Sequence, residues 1–437
     1  MSQYDRESPV KWRRLVQLLA LGHMSLIVAT WPLWIPTAAF PRVPLIEAAG
    51  HGGSSVESLC LALLLASLTG MIFGANPPVQ RVAAVGLGVS TLALIVINQH
   101  RLQPWAWQFV LLSLILAAAD GQTARRAWQW LVISIYFWSA WSKVDVAFSA
   151  THGYFMLAGY CKSLGLLSLC EGLPKPVVTT LPALIPLVEF LIAFGLAFRS
   201  TRRVALVGAT VMHVGLILAL GPLGHGHQPG VLIWNLFFLI QNGCLFAKAR
   251  AELPDQNVVS SEPVAPSDPV ARPVVLGNRL ATVIVAAAML WPAFEAFGYC
   301  DHWPAWAVYA SHPERVTVLV PVDEIAKVRP ALDQYLAPHW SNDEWYSIRI
   351  DRWSLDAVRA PIYPQDRFQV GVALAICEQF GLNRISVVIE GPANRWTGKR
   401  TVNQYPDRAA VEKLARSFRC NAIPHQGVSP QKMQEPN

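Results

Sequence analysis

Nine apolar runs, each close to the length that crosses a bilayer, constrain this chain more than any motif does. They are Leu15–Ile35, Val56–Phe73, Val82–Ile97, Trp105–Ala119, Ala127–Trp141, Val177–Phe198, Val204–Leu223, Val231–Phe246 and Leu280–Phe297. A segment of about 17–25 apolar residues placed in hydrocarbon satisfies its backbone groups by closing them into a helix. The sequence therefore predicts an α-helical polytopic membrane protein of about nine transmembrane helices, with the lipid bilayer as its surroundings. Only 14% of the residues are charged, well below the roughly 25% of soluble domains. The net charge of +7 does not point to nucleic acid. The basic residues lie between apolar runs, and no basic–aromatic groove pattern accompanies them.

The distribution of those charges sets an orientation. One set of alternate connections holds fourteen Lys and Arg, among them Arg13, Arg81, Arg125 and Arg202. The other holds five: Arg42, Arg101, Lys143, Lys162 and Lys175. The richer side is cytoplasmic by the positive-inside rule, so the N-terminus is expected inside the inner (cell) membrane and the C-terminus outside. The first segment has a basic start and ends near Thr37-Ala38-Ala39, but its apolar run is too long for a signal peptide and it reads as an anchor. Four parts follow: a helical bundle over 1–250, a Pro/Val/Ser-rich cytoplasmic linker over 251–279, a final span over 280–298, and a polar tail over 299–437. Val316–Val322, Trp345–Ile350 and Ile385–Ile389 look like strands; Asp323–Tyr335, Arg367–Phe380 and Asp407–Phe418 look like helices. The tail is thus expected to be a small extramembrane α+β domain, one that could bind an extracytoplasmic protein partner.

Ionisable groups within apolar runs are costly and mark candidate sites. Glu189 and His213 fall at similar depth on successive antiparallel segments, so a hydrogen bond or ion pair between them is expected, whether functional or only a packing contact. Lys143 follows the fifth run in Ser139-Ala140-Trp141-Ser142-Lys143-Val144-Asp145. It is either an interfacial anchor or a base in a low-dielectric site. His100, in Asn98-Gln99-His100-Arg101, shares its side of the membrane and is a candidate partner in proton transfer. His23 reads as a core histidine, Asn235 as an interhelical contact, and Glu295 as a group that reaches interfacial water. His225 and His227, with His152, share the outer face; His-x-His can ligate metal, but loops carry such residues by chance, and no metal site is expected. Cys161 and Cys170 can pair across the loop after the fifth helix in an oxidising compartment.

The run Ile133-Ser134-Ile135-Tyr136-Phe137-Trp138-Ser139-Ala140-Trp141-Ser142-Lys143-Val144-Asp145 resembles a helix of vitamin K-dependent γ-carboxylase that ends in an aromatic and small-residue stretch followed by Lys-Leu-Asp. Asn98-Gln99-His100 resembles that enzyme's Asn-Asn-His turn. Pro186-Leu187-Val188-Glu189-Phe190 and Met212-His213-Val214 resemble the following helices, with Glu189 in the place of an Asp. Over roughly Val10–Lys248 the chain is thereby similar to the HTTM (horizontally transferred transmembrane) family, which includes the membrane domain of the carboxylases and many bacterial proteins. The resemblance implies quinol-dependent oxygenation or carboxylation chemistry at the outer side of the bundle. Lys143 would be the base toward a quinol, His100 its partner, and Glu189 and His213 the support beneath. Two departures stand out: Ser142 occupies the place of a second family lysine, and the tail is much smaller than the carboxylase's lumenal domain. Alternatives are a non-enzymatic scaffold that presents the tail, a DoxX-like quinone-linked redox protein, and a transporter using Glu189 and His213.

Overall fold

The computed structural model describes residues 9–37, 39–247, 271–338 and 344–425. Its first helices are α1 (Pro9–Ala29), α2 (Gly53–Phe73), α3 (Pro77–Ile97), α4 (Pro104–Ala118) and α5 (Gly121–Ser142). After them come α6 (His152–Ser163), α7 (Leu184–Ala197), α8 (Arg202–Leu220), α9 (Pro229–Phe246) and α10 (Ala271–Leu290). Each of the nine apolar runs overlaps one of these, though Leu15–Ile35, Val177–Phe198 and Leu280–Phe297 run past a helix end into a separate helical turn. Among the described residues, six helical segments are long and apolar enough to cross a membrane: Glu47–Phe73, Pro77–Ile97, Pro176–Ala197, Arg202–Leu220, Pro229–Phe246 and Val274–Phe297. A seventh is possible by composition if Gly121–Ser142 and Val146–Ser163, bent by 79°, form one broken span. α1 carries Lys11, Arg13, Arg14 and His23 and is not among them. α4 has only 15 residues. It is apolar all round, as a helix enclosed on every side must be, and Phe109, Leu112, Ile115 and Leu116 are fully buried in the bundle core.

Local chemistry explains the helix ends. Pro77 starts α3 behind Asn76, whose side chain accepts from the Val79 amide at 3.1 Å, a standard N-cap. Asp120 caps α5 in the same way, accepting from Thr123 at 2.8 Å. It also joins α5 to α10 through Asn278, at 2.5 and 2.9 Å. One turn away, a Cβ on Gly277 would lie 2.2 Å from the Ala118 carbonyl oxygen, so only glycine permits this approach of α10 to α4. Rows of exposed apolar side chains, such as Val204, Val207 and Val211 on α8 and Leu187, Leu191 and Phe194 on α7, run along the outside. In water such rows are a liability, whereas against lipid they cost nothing.

The tail forms a five-stranded antiparallel sheet in the order β2–β3–β1–β4–β5. Its elements are β1 (Arg315–Pro321), α11 (Ile325–Leu332), β2 (Leu336–Pro338), β3 (Trp345–Ile348), α12 (Ile350–Val358), α13 (Asp366–Phe380), β4 (Ser386–Glu390), β5 (Val402–Tyr405) and α14 (Arg408–Ala415). Val318 sits opposite both Ile348 and Val387 at the centre, and α13 covers the sheet with buried Val370, Val372, Ala373 and Ile376. The three expected strands and three expected helices are present, with two differences. The expected strand Trp345–Ile350 stops at Ile348, because the Arg349 amide turns to the Tyr335 carbonyl at 2.8 Å and Ile350 begins α12. β2 and β5 are too short for alternation to reveal. The linker reading over 251–279 is corrected in part: 271–279 is helix, since Pro273 falls in a first turn that needs no amide donor there. Residues 251–270 lie outside the described residues.

The tail is seated on one end of the bundle. Asn421 N donates to Leu45 O at 3.1 Å, His425 N to Arg42 O at 2.9 Å, and Val146 N to Arg395 O at 2.9 Å. Arg42, Arg101 and Lys143 are at this end. Arg81 over Trp12, Arg125 on the Leu245 carbonyl and Arg202 over Phe246 mark the other. Cys161 and Cys170 form the disulfide that the sequence allowed. Cys161 lies on α6, an element the sequence reading took for loop.

Beneath the tail, Arg101 is fully buried. Its guanidinium donates to Leu33 O at 2.9 Å, to Trp34 O at 3.1 Å and to the carboxylate of Glu57, which also takes Arg42 at 2.5 Å. Removing one member of a buried pair leaves the other charge stranded, at a cost of about 3–5 kcal/mol. Glu57→Ala is expected to lower the detergent-solubilised melting temperature far more than Glu47→Ala, a change on an exposed neighbour; equal melting of the two would contradict the pairing.

Candidate functional site

α5 carries Tyr136, Ser139 and Lys143 at i, i+3 and i+7, a single stripe on a helix of 3.6 residues per turn. α5 ends at Lys143, whose amide bonds to Ala140 O at 3.0 Å, and the chain then turns through 79° into Val146–Ser163. The Lys143 side chain folds back along α5 instead of reaching for water. Nζ lies 3.0 Å from Ser139 O, 2.6 Å from Ser139 Oγ and 3.1 Å from Glu189 Oε2 of α7. All three ammonium protons thus have acceptors. Lys143 is 3% exposed and Glu189 6%. An anchoring lysine keeps its head in the interface; this one is withdrawn from solvent into an ion pair.

The expected Glu189–His213 contact is not formed. Glu189 belongs to Lys143, while His213 lies between Tyr136 Oη, 2.6 Å from Nε2, and Asn235 Oδ1, 2.8 Å from Nδ1. Asn235 Nδ2 donates to Val231 O at 2.9 Å, which turns its oxygen toward the imidazole. His213 therefore carries its proton on Nδ1 and accepts from the Tyr136 hydroxyl, which in turn accepts from Asn242 Nδ2 at 2.7 Å. The result is a buried, directional chain from Asn242 through Tyr136 and His213 to Asn235.

Both groups open onto one cavity of about 370 Å³. Ile135, Met156, Met212, Leu216 and Phe238 of the bundle supply apolar walls, and Tyr136, Ser139, Lys143, Glu189 and His213 the polar ones. Trp303, Tyr309, Glu314, Arg359 and Pro361 of the tail form the rest. Tyr309 and Arg359 hold left-handed backbone, φ 57° and 56°, as does the nearby Trp306 at 62°. Such conformations are uncommon for bulky residues and concentrate where a surface must be shaped. Tail and bundle meet at the rim through His152 Nδ1 and Ser311 Oγ at 2.9 Å, and Tyr309 Oη and His227 Nε2 at 3.3 Å. His225 points elsewhere, onto the Phe155 carbonyl at 2.6 Å, so these three histidines do not converge.

His100 does not partner Lys143. Its ring sits between Phe40 and Phe368, with centroids 5.2 and 5.1 Å away, and Nε2 donates to Pro361 O at 3.1 Å. Ser354 Oγ is equally close to that nitrogen. Gln103 binds the same carbonyl at 3.2 Å. Since Pro361 lines the cavity, His100 is a brace for the roof and not part of the wall. The turn packs into the tail because Gln99 also accepts from Arg367 at 2.8 Å and donates to Asn421 O at 2.7 Å. His23 stacks on Phe109 at 4.6 Å, as a core residue does. Glu295 departs from the expectation of a wet interfacial group: it is buried between His302 and His312.

Sequence reasoning singled out Lys143, Glu189 and His213, which line this cavity, but missed Tyr136 and Ser139, seven and four residues before Lys143 on one helical stripe. No local pattern marked the tail's share. Comparisons with family models, curated proteins and solved structures return no match.

Burial lowers the His100 ring from 6.5 to about 4, outweighing the opposing Pro361 hydrogen bond, with Arg101 adding to the fall. The folded value is below the unfolded one, so the stabilisation is complete above pH 6.5 and is lost as pH falls toward 4. A shift of that size is worth on the order of 3 kcal/mol. Melting temperature measured from pH 7.5 to 4.5 should drop, and His100→Gln, which keeps a donor to Pro361 but does not titrate, should flatten the drop. A parallel fall in both proteins would count against this role for His100.

Proposed function

We propose that the cavity binds a quinol-class ring and that the Lys143–Glu189 pair handles its proton, in a nine-span HTTM-like bundle with a cytoplasmic N-terminus and an extracytoplasmic tail. One observation carries the reading: a buried Lys143–Glu189 ion pair stands on the wall of a mostly apolar cavity closed to one side by the tail. The volume of about 370 Å³ lies within the range of small-molecule sites, which pair apolar walls with a few polar groups. The quinol would supply an acidic ring hydroxyl and a source of reducing equivalents. Polar groups at several heights on α5, α7 and α8 suit a ligand with more than one oxygen.

The roles proposed differ from those that the family resemblance implies. Three acceptors surround Lys143 Nζ, an arrangement that suits an ammonium acting as a hydrogen-bond donor. The base of the pair is Glu189. Its carboxylate takes the hydroxyl proton and becomes a carboxylic acid, while the Lys143 ammonium, released from part of its ion pair, holds the oxyanion left behind. The charge of the site is unchanged by this exchange, which keeps the desolvation cost constant. Tyr136 and His213 offer the second polar contact. His100 acts at a distance, by fixing Pro361.

A short-chain quinol supplied to protein in nanodiscs, with dissolved O₂ as the electron acceptor, tests the reading. Lys143→Ala and Glu189→Gln are each expected to lower quinol oxidation at least about 100-fold, and the double variant no further, because the two act as a unit. Single removal strands a buried charge, so Lys143→Gln/Glu189→Gln, which carries none, serves as the folded reference. Unaltered turnover in that double variant, or no quinol binding by the wild type, would overturn the assignment.

A further inference from the structure

Beside the cavity, at the junction of α10 and the tail, Glu295, His302 and His312 bring a carboxylate oxygen and two imidazole nitrogens within 4.8 Å of one another. All three side chains are under 10% exposed, at 9%, 8% and 7%. Their outer contacts, to acceptor-only oxygens, put hydrogen on the outer nitrogens. His302 Nε2 is 2.7 Å from Glu314 Oε2, a carboxylate oxygen, so Nε2 carries hydrogen. His312 Nδ1 is 3.2 Å from the Ser142 carbonyl oxygen, so Nδ1 carries hydrogen. The inner nitrogens of neutral rings then hold lone pairs. His302 Nδ1 and His312 Nε2 both face the same atom, Glu295 Oε1, at 2.8 and 2.6 Å. Two lone pairs and an anionic oxygen cannot meet in a buried space without positive charge between them. Either two protons supply it or one divalent ion does.

We infer that Glu295, His302 and His312 form a binding site for a divalent first-row metal, Zn²⁺ or Fe²⁺. Two imidazoles and one carboxylate are a donor set that both ions use, generally with a further position left open. Ring N–H groups held by a carboxylate and by a backbone carbonyl are the partners that orient metal-bound histidines. Glu314 supplies one of them here and Ser142, the residue before Lys143, the other. Other charges nearby include Asp301 and Asp366, which act on His302, Arg395, with Nη2 3.9 Å from Glu295 Oε2, and Asp145, with Oδ2 3.9 Å from His312 Nδ1. Asp145 Oδ2 is buried without a hydrogen-bond partner and adds negative potential beside the ring. The ligands come from the end of α10 and the first stretch of the tail, and their outer partners from the Lys143 turn and the cavity wall. A bound ion would therefore staple the roof to the bundle, whatever the cavity holds.

Elemental analysis of the full-length protein in detergent tests the site. The protein is purified anaerobically, then incubated with Zn²⁺, Fe²⁺ or Co²⁺ and desalted. The wild type is expected to retain about one ion per chain, and the element found as isolated distinguishes zinc from iron. Bound Co²⁺ should show the visible absorption of nitrogen and oxygen ligation and lose it to added Zn²⁺. His302→Gln and His312→Gln should each lower retention at least about tenfold, while His51→Gln, on an exposed residue, should retain the ion. Chelation should lower the melting temperature of the wild type but not of His302→Gln/His312→Gln. Should the variants fail to fold, the wild-type cobalt spectrum decides. Wild type that holds no metal after incubation, a cobalt spectrum of the aquo ion, or undiminished retention in the folded histidine variants would overturn the site and leave a proton-bridged network.

Discussion

Withdrawing Lys143 from water imposes most of the architecture around it. An ammonium in a low-dielectric bundle is tolerable only with a matched anion and full hydrogen bonding. Glu189 on α7 supplies the anion and Ser139, one turn back, the remaining acceptors. This requires the end of α5, where the helix stops at Lys143, to face Glu189. It also requires α7 to lie against α5 along its length, as it does. The sharp turn after Lys143 and the short helices that follow are consequences of that stop.

The second requirement is exclusion of solvent from the same end of the bundle, which the tail meets. Its sheet touches the cavity only through Arg315 at the start of β1, and the segment before β1 and the loop after α12 reach over it with three left-handed residues. They are held by Arg367 on Asp301 and Gln99, by His100 on Pro361 and by Arg400 on the Pro313 carbonyl. Burial alone would raise the Asp301 carboxyl, and the Arg367 guanidinium overrides it and holds the group below its usual range. The Glu295, His302 and His312 cluster lies on the same seam, so charge pairing runs along the whole junction between roof and bundle.

The bundle was legible from apolar length, because hydrocarbon leaves a chain little choice but helix. The tail's longer elements were legible from alternation and from the 3.6-residue period. Depth arguments put Glu189 and His213 at similar levels, and both line the cavity, but depth does not say which way a side chain faces. Glu189 turns to α5, and His213 turns to Tyr136 and Asn235. The 79° turn was hidden because Val146–Ser163 has ordinary loop-like composition with glycines and polar residues. His100 was misplaced for a similar reason: sidedness was right, yet the partner came from residues 254 and 261 positions away, which no local pattern encodes. The cluster of Glu295, His302 and His312 was invisible because its spacing matches no metal motif and its orienting groups come from α5 and Glu314.

The central claim is that an apolar, tail-roofed cavity with a buried ion pair on its wall holds a quinone-type ring. Its most direct measurement is the quinone extracted from protein purified in mild detergent out of quinone-containing membranes. Close to one isoprenoid quinone per chain is expected from a site of this volume, with near-complete loss in Leu216→Trp, where an indole fills the cavity. A well-folded wild type that carries none and takes up none on addition would contradict the account.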